Sequence, residues 1–129
     1  MAVKDEYLVV DDEPDICWAL ERLLTSTGLP CQKALCAQAA IDLAQHHGFR
    51  LAFLDLTLPD MKGLELAKRL RQIDPDLRIV ILSGFISEDR TALAQLKHEG
   101  LICACITKPF LHHDILTVID NFGTARKLK

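Results

Sequence analysis

Four short apolar runs of β-prone residues punctuate the chain: Tyr7-Leu8-Val9-Val10, Leu51-Ala52-Phe53-Leu54, Ile79-Val80-Ile81-Leu82 and Leu101-Ile102-Cys103-Ala104-Cys105-Ile106. A weaker run, Cys31 to Cys36, fills the gap between the first two. A strand with one wet face alternates apolar and polar residues, whereas an unbroken apolar run suits a strand buried on both faces, as in a parallel sheet. Helix-length segments separate the runs. In the first, Ile16, Leu20, Leu23 and Leu24 fall on one stripe that ends at Thr27-Gly28, and the second, about Ala37 to His47, stops at Gly48. The third, Leu64-Ala67-Leu70-Ile73, runs into Asp74-Pro75. The fourth begins at Ser87-Glu88-Asp89 and stops at Gly100, and the last carries Leu111, Ile115, Leu116, Ile119 and Phe122. Three helices that stop at Gly predict left-handed C-caps. Five strands alternating with five helices predict a (βα)5 α/β domain, a three-layer sandwich with helices on both faces of one parallel sheet.

Composition bounds this reading. A chain of 129 residues, half of them hydrophobic and 26% charged, suffices for one domain with its own core. Fifteen Lys and Arg against eighteen Asp and Glu leave a net charge of −3, so no basic excess points to nucleic acid or a membrane surface as the partner of this segment. No apolar run approaches the ~20 residues of a membrane span, and Met1–Glu6 carries no signal-peptide core. Five cysteines, an odd number without a CxxC pair, read as reduced, packed thiols in a cytoplasmic protein. Cys103 and Cys105 have no further metal ligands in view, His112-His113 read as solvent-facing, and Trp18 is either half-exposed or part of a partner surface. Only Thr124–Lys129 changes character, being short and basic. The domain is therefore expected over residues 1–123, with 124–129 a frayed end or the start of a linker.

In an open α/β sheet, chemistry gathers beyond the carboxyl ends of the strands. Asp11-Asp12-Glu13 follow the first run, Asp55 and then Leu56-Thr57-Leu58-Pro59-Asp60-Met61-Lys62-Gly63 the third, Ser83-Gly84 the fourth, and Thr107-Lys108-Pro109-Phe110 the fifth. Three carboxylates, a hydroxyl and an ammonium would share one edge. Asp11, Asp12 and Asp55 cannot sit together ionised without a cation, and oxygen-only ligands suit Mg²⁺. A carboxylate nucleophile, a metal and donors for transferred oxygens are the parts needed to receive a phosphoryl group. Asp60 and Gly63 read as turn and helix-start residues.

These four motifs, in this order and over about residues 5 to 122, resemble the receiver domain of two-component response regulators. The resemblance implies the flavodoxin-like strand order 2-1-3-4-5 and a domain that is not an enzyme in the ordinary sense, but catalyses only its own phosphotransfer and dephosphorylation. It implies Asp55 as phosphoacceptor, Mg²⁺ held by Asp12, Asp55 and the Thr57 backbone carbonyl, and Asp11 helping largely through water. Lys108 would pair with Asp55 and then with phosphoryl oxygens, Ser83 would hydrogen-bond the phosphoryl group, and Lys108-Pro109 would be cis. The implied partners are a sensor histidine kinase or histidine phosphotransfer protein and an output domain or protein. These would read a surface of helix 4, strand 5 and helix 5, with a phosphorylation-dependent homodimer as one form of output.

One residue departs from the pattern. Cys105 stands where the family commonly has an aromatic switch residue, which puts that switch in doubt, and bulky Phe85 stands at a position lining access to the site. A phosphorylation-independent binding module is the alternative that Cys105 favours and the intact acidic set opposes. An aspartyl-nucleophile phosphatase would want an acid where Thr57 stands and room for a cap domain, and neither GxGxxG nor GxxxxGK[ST] occurs for a nucleotide.

Overall fold

The computed structural model describes residues 6–84 and 90–122. Strands and helices alternate as β1 (Glu6–Val10), α1 (Pro14–Thr25), β2 (Cys31–Ala34), α2 (Ala37–Ala44), β3 (Phe49–Asp55), α3 (Gly63–Ile73), β4 (Arg78–Ser83), α4 (Arg90–His98), β5 (Ala104–Thr107) and α5 (His112–Phe122). The sheet is parallel throughout, in the order β2-β1-β3-β4-β5. The expected (βα)5 architecture and strand order are both present. Among the described residues, no helix is long and apolar enough to cross a membrane.

The unbroken apolar runs divide between two cores. Leu8 and Val10, Ala52 and Leu54, and Ile79 and Ile81 point to one face, where α2, α3 and the partly buried Leu93 and Leu96 of α4 cover them. Their alternates Tyr7 and Val9, Leu51 and Phe53, and Val80 and Leu82 point to the other, beneath α1 and α5. Because side chains alternate across a strand, burying both faces demands apolar residues at every position.

Helix details depart from the sequence reading in instructive ways. α5 buries Ile115, Val118 and Ile119, while Leu111 and Leu116 are exposed, so its stripe is set by Val118 and not by those two leucines. α1 buries Cys17 along with Leu20 and Leu24, and Ile16 and Leu23 are only partly covered. Gly28 (φ 101°) and Gly100 (φ 86°) are left-handed as expected. After α4, the Gly100 N–H donates to the Lys97 carbonyl and the Leu101 N–H to that of Leu96, a Schellman closure. Gly48 is not left-handed. The N–H groups of Gln45, His46 and His47 already serve the carbonyls of Ile41, Asp42 and Leu43 in right-handed turns, leaving no work for a left-handed residue. β5 is shorter than its apolar run and begins at Ala104, since Leu101 first closes α4. The expected start of α4 at Ser87-Glu88-Asp89 and the tail at 124–129 lie outside the described residues.

At the amino end of the sheet, Glu6 ties three strands. Its carboxylate accepts from Gln32 Nε2 at 2.8 Å on β2 and lies 3.0 Å from His47 Nδ1 just before β3. Burial works to raise the Glu6 carboxyl, but the Gln32 and His47 contacts outweigh it and hold it below its ordinary 4.5. A depressed carboxyl stabilises the fold fully above the unfolded value, and the contribution is lost as pH falls through the folded one. Glu6→Gln is therefore expected to lower the urea midpoint at neutral pH. The gap to the parent should close on acidification below about pH 4.5, and a gap that does not change with pH would contradict this account.

Candidate functional site

The sheet's hydrogen-bond ladder delivers four polar residues to one edge. Asp11 directly follows β1, and its N–H donates to the Ala34 carbonyl at the end of β2 (3.1 Å). Asp55 is the last residue of β3 and pairs with Leu82, and the next N–H, that of Leu56, donates to the Leu82 carbonyl (2.9 Å). Ser83 ends β4 and is buried, and its carbonyl accepts from the Lys108 N–H at 2.7 Å just beyond β5. Each side chain thus hangs from a peptide held by the neighbouring strand. The Lys108-Pro109 bond is cis.

Charge concentrates here out of proportion to exposure. Asp11 is fully buried and Asp55 is 7% exposed, while Asp12 faces solvent. Carboxylate oxygens of the three lie within 4.8 Å of one another, and among the described residues this is the one group of three or more acidic, His or Cys side chains close enough to share a metal. Lys108 Nζ stands 2.7 Å from Asp11 Oδ2 and 3.3 Å from Asp55 Oδ1. Asp11 Oδ1 accepts from the Glu13 N–H at 2.9 Å. The buried Oδ2 accepts no hydrogen bond of ordinary angle, so its contact with Lys108 is an ion pair alone.

Burial pushes the Asp55 carboxyl above its ordinary value, and the Asp11 charge adds to the push. Lys108 and the Thr57 backbone N–H pull the other way without cancelling it. Burial by itself would lower Lys108, but its pairs with Asp11 and Asp55 win, holding the ammonium above the usual lysine range and charged. Three clustered carboxylates, one with an oxygen short of a partner, are hard oxygen donors of the kind a divalent cation takes.

Two further residues shape the site. Gly63 opens α3 with its N–H on the Leu56 carbonyl (2.8 Å), so close that a Cβ there would collide with the Asp55 carbonyl oxygen and crowd Leu56 Cα at 2.9 Å. Its small size is a condition of the chain's exit from β3 after Asp55, beyond the helix-start role read from sequence. Cys17 donates its thiol to the Asp11 carbonyl at 3.3 Å. Burial first, and then the Asp11 charge, push that thiol up to about 11, so it stays protonated as a donor. Sequence reading missed this contact; its one signal was a cysteine in an otherwise aliphatic core stripe.

The remaining expectations divide. Thr57 is exposed on the loop after Asp55 and forms an isolated bridge with Lys62. His112 and His113 are exposed as read, and Trp18 is 58% exposed with the Arg22 guanidinium 5.0 Å from its ring centre. All five thiols are free, but they are not uniformly packed. Cys17 is buried, Cys31, Cys36 and Cys103 are half-buried, and Cys105 is exposed. The correction at Cys105 follows from position, because β5 is an edge strand in which Ile106 alone is buried. Phe85 lies outside the described residues.

The chain is thus a doubly wound α/β protein with a carboxylate cluster and a lysine at the carboxyl edge of its sheet. The family model for the response regulator receiver domain matches residues 7–120, and the chain belongs to that family. It is similar to the response regulator receiver protein CpdR of Brucella abortus, 27% identical over 92% of this chain and 96% of that one. PilR of Pseudomonas aeruginosa, a response regulator protein, is 34% identical over 98% of this chain but only 27% of its own length. Among solved structures, TrrA of Thermotoga maritima in complex with Mg²⁺-BeF superposes with a TM-score of 0.79 at 25% identity, covering 92% of this chain and 98% of that one. Receiver domains are phosphoacceptor signalling domains of two-component systems and not conventional enzymes.

Replacing Lys108 by Met strands two buried carboxylates without a counter-charge. Lys108→Met is expected to cost about 3 kcal/mol of unfolding free energy at neutral pH. The loss should shrink in acid as Asp55, held above its ordinary value, protonates, read by urea denaturation across pH. Gly63→Ala must displace the backbone after Asp55 and is expected to cost about 2 kcal/mol; an unchanged thermal midpoint would refute the close approach described above.

Proposed function

We propose that this chain is a phosphorylation-dependent receiver in which Asp55 takes a phosphoryl group from a phosphohistidine on a sensor histidine kinase or histidine phosphotransfer protein. The observation that carries the reading is Lys108 Nζ within 3.3 Å of Asp55 and 2.7 Å of Asp11, a cation already aimed at the acceptor and its neighbour. In the transfer, an Asp55 carboxylate oxygen forms the new O–P bond as the N–P bond to the donor imidazole breaks, its electron pair leaving with the imidazole. Asp11, Asp12, Asp55 and the Thr57 carbonyl would hold Mg²⁺, which when bound supplies charge neutralisation for the phosphoryl oxygens. Lys108 pairs with one of those oxygens once Asp55 is esterified, and the Ser83 hydroxyl donates to another.

The added charge draws Ser83 and Lys108 together and repacks the strand ends they terminate, passing the signal to α4, β5 and α5. Cys105 gives that surface a small exposed thiol where the family commonly has an aromatic ring, so we assign the moving contacts to Ser83 and Lys108. The five free thiols fit the reducing cytoplasm expected from the sequence. Residues 1–123 form the receiver and 124–129 a tail or linker to an output domain or partner. The phosphorylation-independent module is the weaker reading, because Asp11, Asp55 and Lys108 are in mutual contact and not dispersed.

Intact mass after incubation with acetyl phosphate and Mg²⁺ tests the proposal. The expected outcome is one phosphoryl adduct, absent from Asp55→Asn and abolished by chelation of the metal. If the parent forms no adduct and also fails to bind beryllofluoride with Mg²⁺, the binding-module reading replaces this one.

A further inference from the structure

The first turn of α2 is not capped by its own sequence. Cys36 precedes it in extended conformation (φ −152°, ψ 166°) with no side-chain hydrogen bond to the helix, and the turn contains no acid. Helix amides left in this way need acceptors from elsewhere. Asp60 supplies them from the distant β3–α3 loop: Oδ1 accepts from the Ala37 N–H at 2.8 Å and Oδ2 from the Gln38 N–H at 3.0 Å. These two backbone donors hold the Asp60 carboxyl below its ordinary range.

The loop that carries Asp60 also carries Thr57. Its neck is closed by the Gly63 N–H on the Leu56 carbonyl and by the bridge between Thr57 and Lys62. Beyond the neck, Leu58 is buried in the same core as Ala37, Ala40 and Ile41 of α2, and Met61 packs against it. Apolar contact sets the loop's depth but is not directional. Two hydrogen bonds from adjacent amides to one rigid carboxylate fix both distance and direction.

We propose that Asp60 is a positioning residue for the cation site: its two-oxygen grip on the start of α2 fixes the β3–α3 loop and with it the Thr57 carbonyl. The proposal rests on the Mg²⁺ reading above. Mg²⁺ demands near-octahedral oxygens at about 2.0–2.1 Å, so a small drift of one carbonyl is felt as lost affinity. Outer contacts that orient metal ligands commonly matter tenfold or more; acting through a loop, Asp60 is expected to matter about threefold to tenfold.

Capping and positioning can be separated, because Cys36→Ser would give α2 a cap of its own without restoring the tie to the loop. The full chain, its Asp60→Ala and Asp60→Asn variants, and the Asp60→Ala/Cys36→Ser double variant would be compared by Mg²⁺ titration calorimetry and by metal-free thermal unfolding. Asp60→Ala is expected to weaken Mg²⁺ about threefold to tenfold and to lower the thermal midpoint. Asp60→Asn, which keeps one acceptor, should lose less on both counts. The double variant should regain the midpoint but not the Mg²⁺ affinity. Unchanged affinity in Asp60→Ala, or affinity restored by Cys36→Ser, overturns the proposal and leaves Asp60 as a helix cap. A parent chain that binds no Mg²⁺ overturns the reading of the site itself, a failure distinguishable from either of these.

Discussion

Asp11 and Asp55 are carboxylates taken out of water at the ends of adjacent strands, and the Lys108 ammonium between them is what makes that arrangement tolerable. Each burden is partly relieved by the same charge: the two acids hold Lys108 protonated, and Lys108 limits how far burial and mutual repulsion raise Asp55. The balance is incomplete, since Asp11 Oδ2 lacks a well-directed donor and Asp55 still lies above its ordinary value. A site left short of positive charge is one that a divalent cation or a new bond at Asp55 can change at little structural cost.

Every other feature serves that placement. The two-faced hydrophobic sheet supplies the rigid ladder, and the peptides of Asp11, Leu56 and Lys108 each donate to a neighbouring strand. Gly63 lets α3 start against the Asp55 peptide, Cys17 supports the Asp11 carbonyl from α1, and Asp60 ties the intervening loop to α2. Helices on both faces therefore reach the same edge. Receiver domains of two-component systems work with kinases or phosphotransfer proteins and with output domains.

Much of this was legible in advance, for a physical reason. Tyr7 to Val10, Leu51 to Leu54 and Ile79 to Leu82 announce themselves because burial on both faces forbids a polar residue anywhere in the run. Asp11, Asp55 and Ser83 stood out as the first polar residues after those runs, and Lys108 as the second after the run that ends at Ile106. Where local pattern misled, a tertiary neighbour was the cause. Leu111 and Leu116 have helical spacing but face away from the sheet, and Val118 takes their place. Gly48 looked like a helix stop, yet the preceding amides had already closed the turn. Cys105 sits in an apolar run but on an edge strand, where one neighbour is missing and burial fails.

Sequence alone determined the order of elements, their parallel pairing and the edge at which the charged residues gather, because period and polarity are properties of neighbouring positions. Only tertiary structure decided what those residues touch. Asp60 reaching Ala37 and Lys108 settling between Asp11 and Asp55 join segments far apart in the chain. Such contacts depend on crossover geometry, strand register and helix placement, none of which is written in any local stretch.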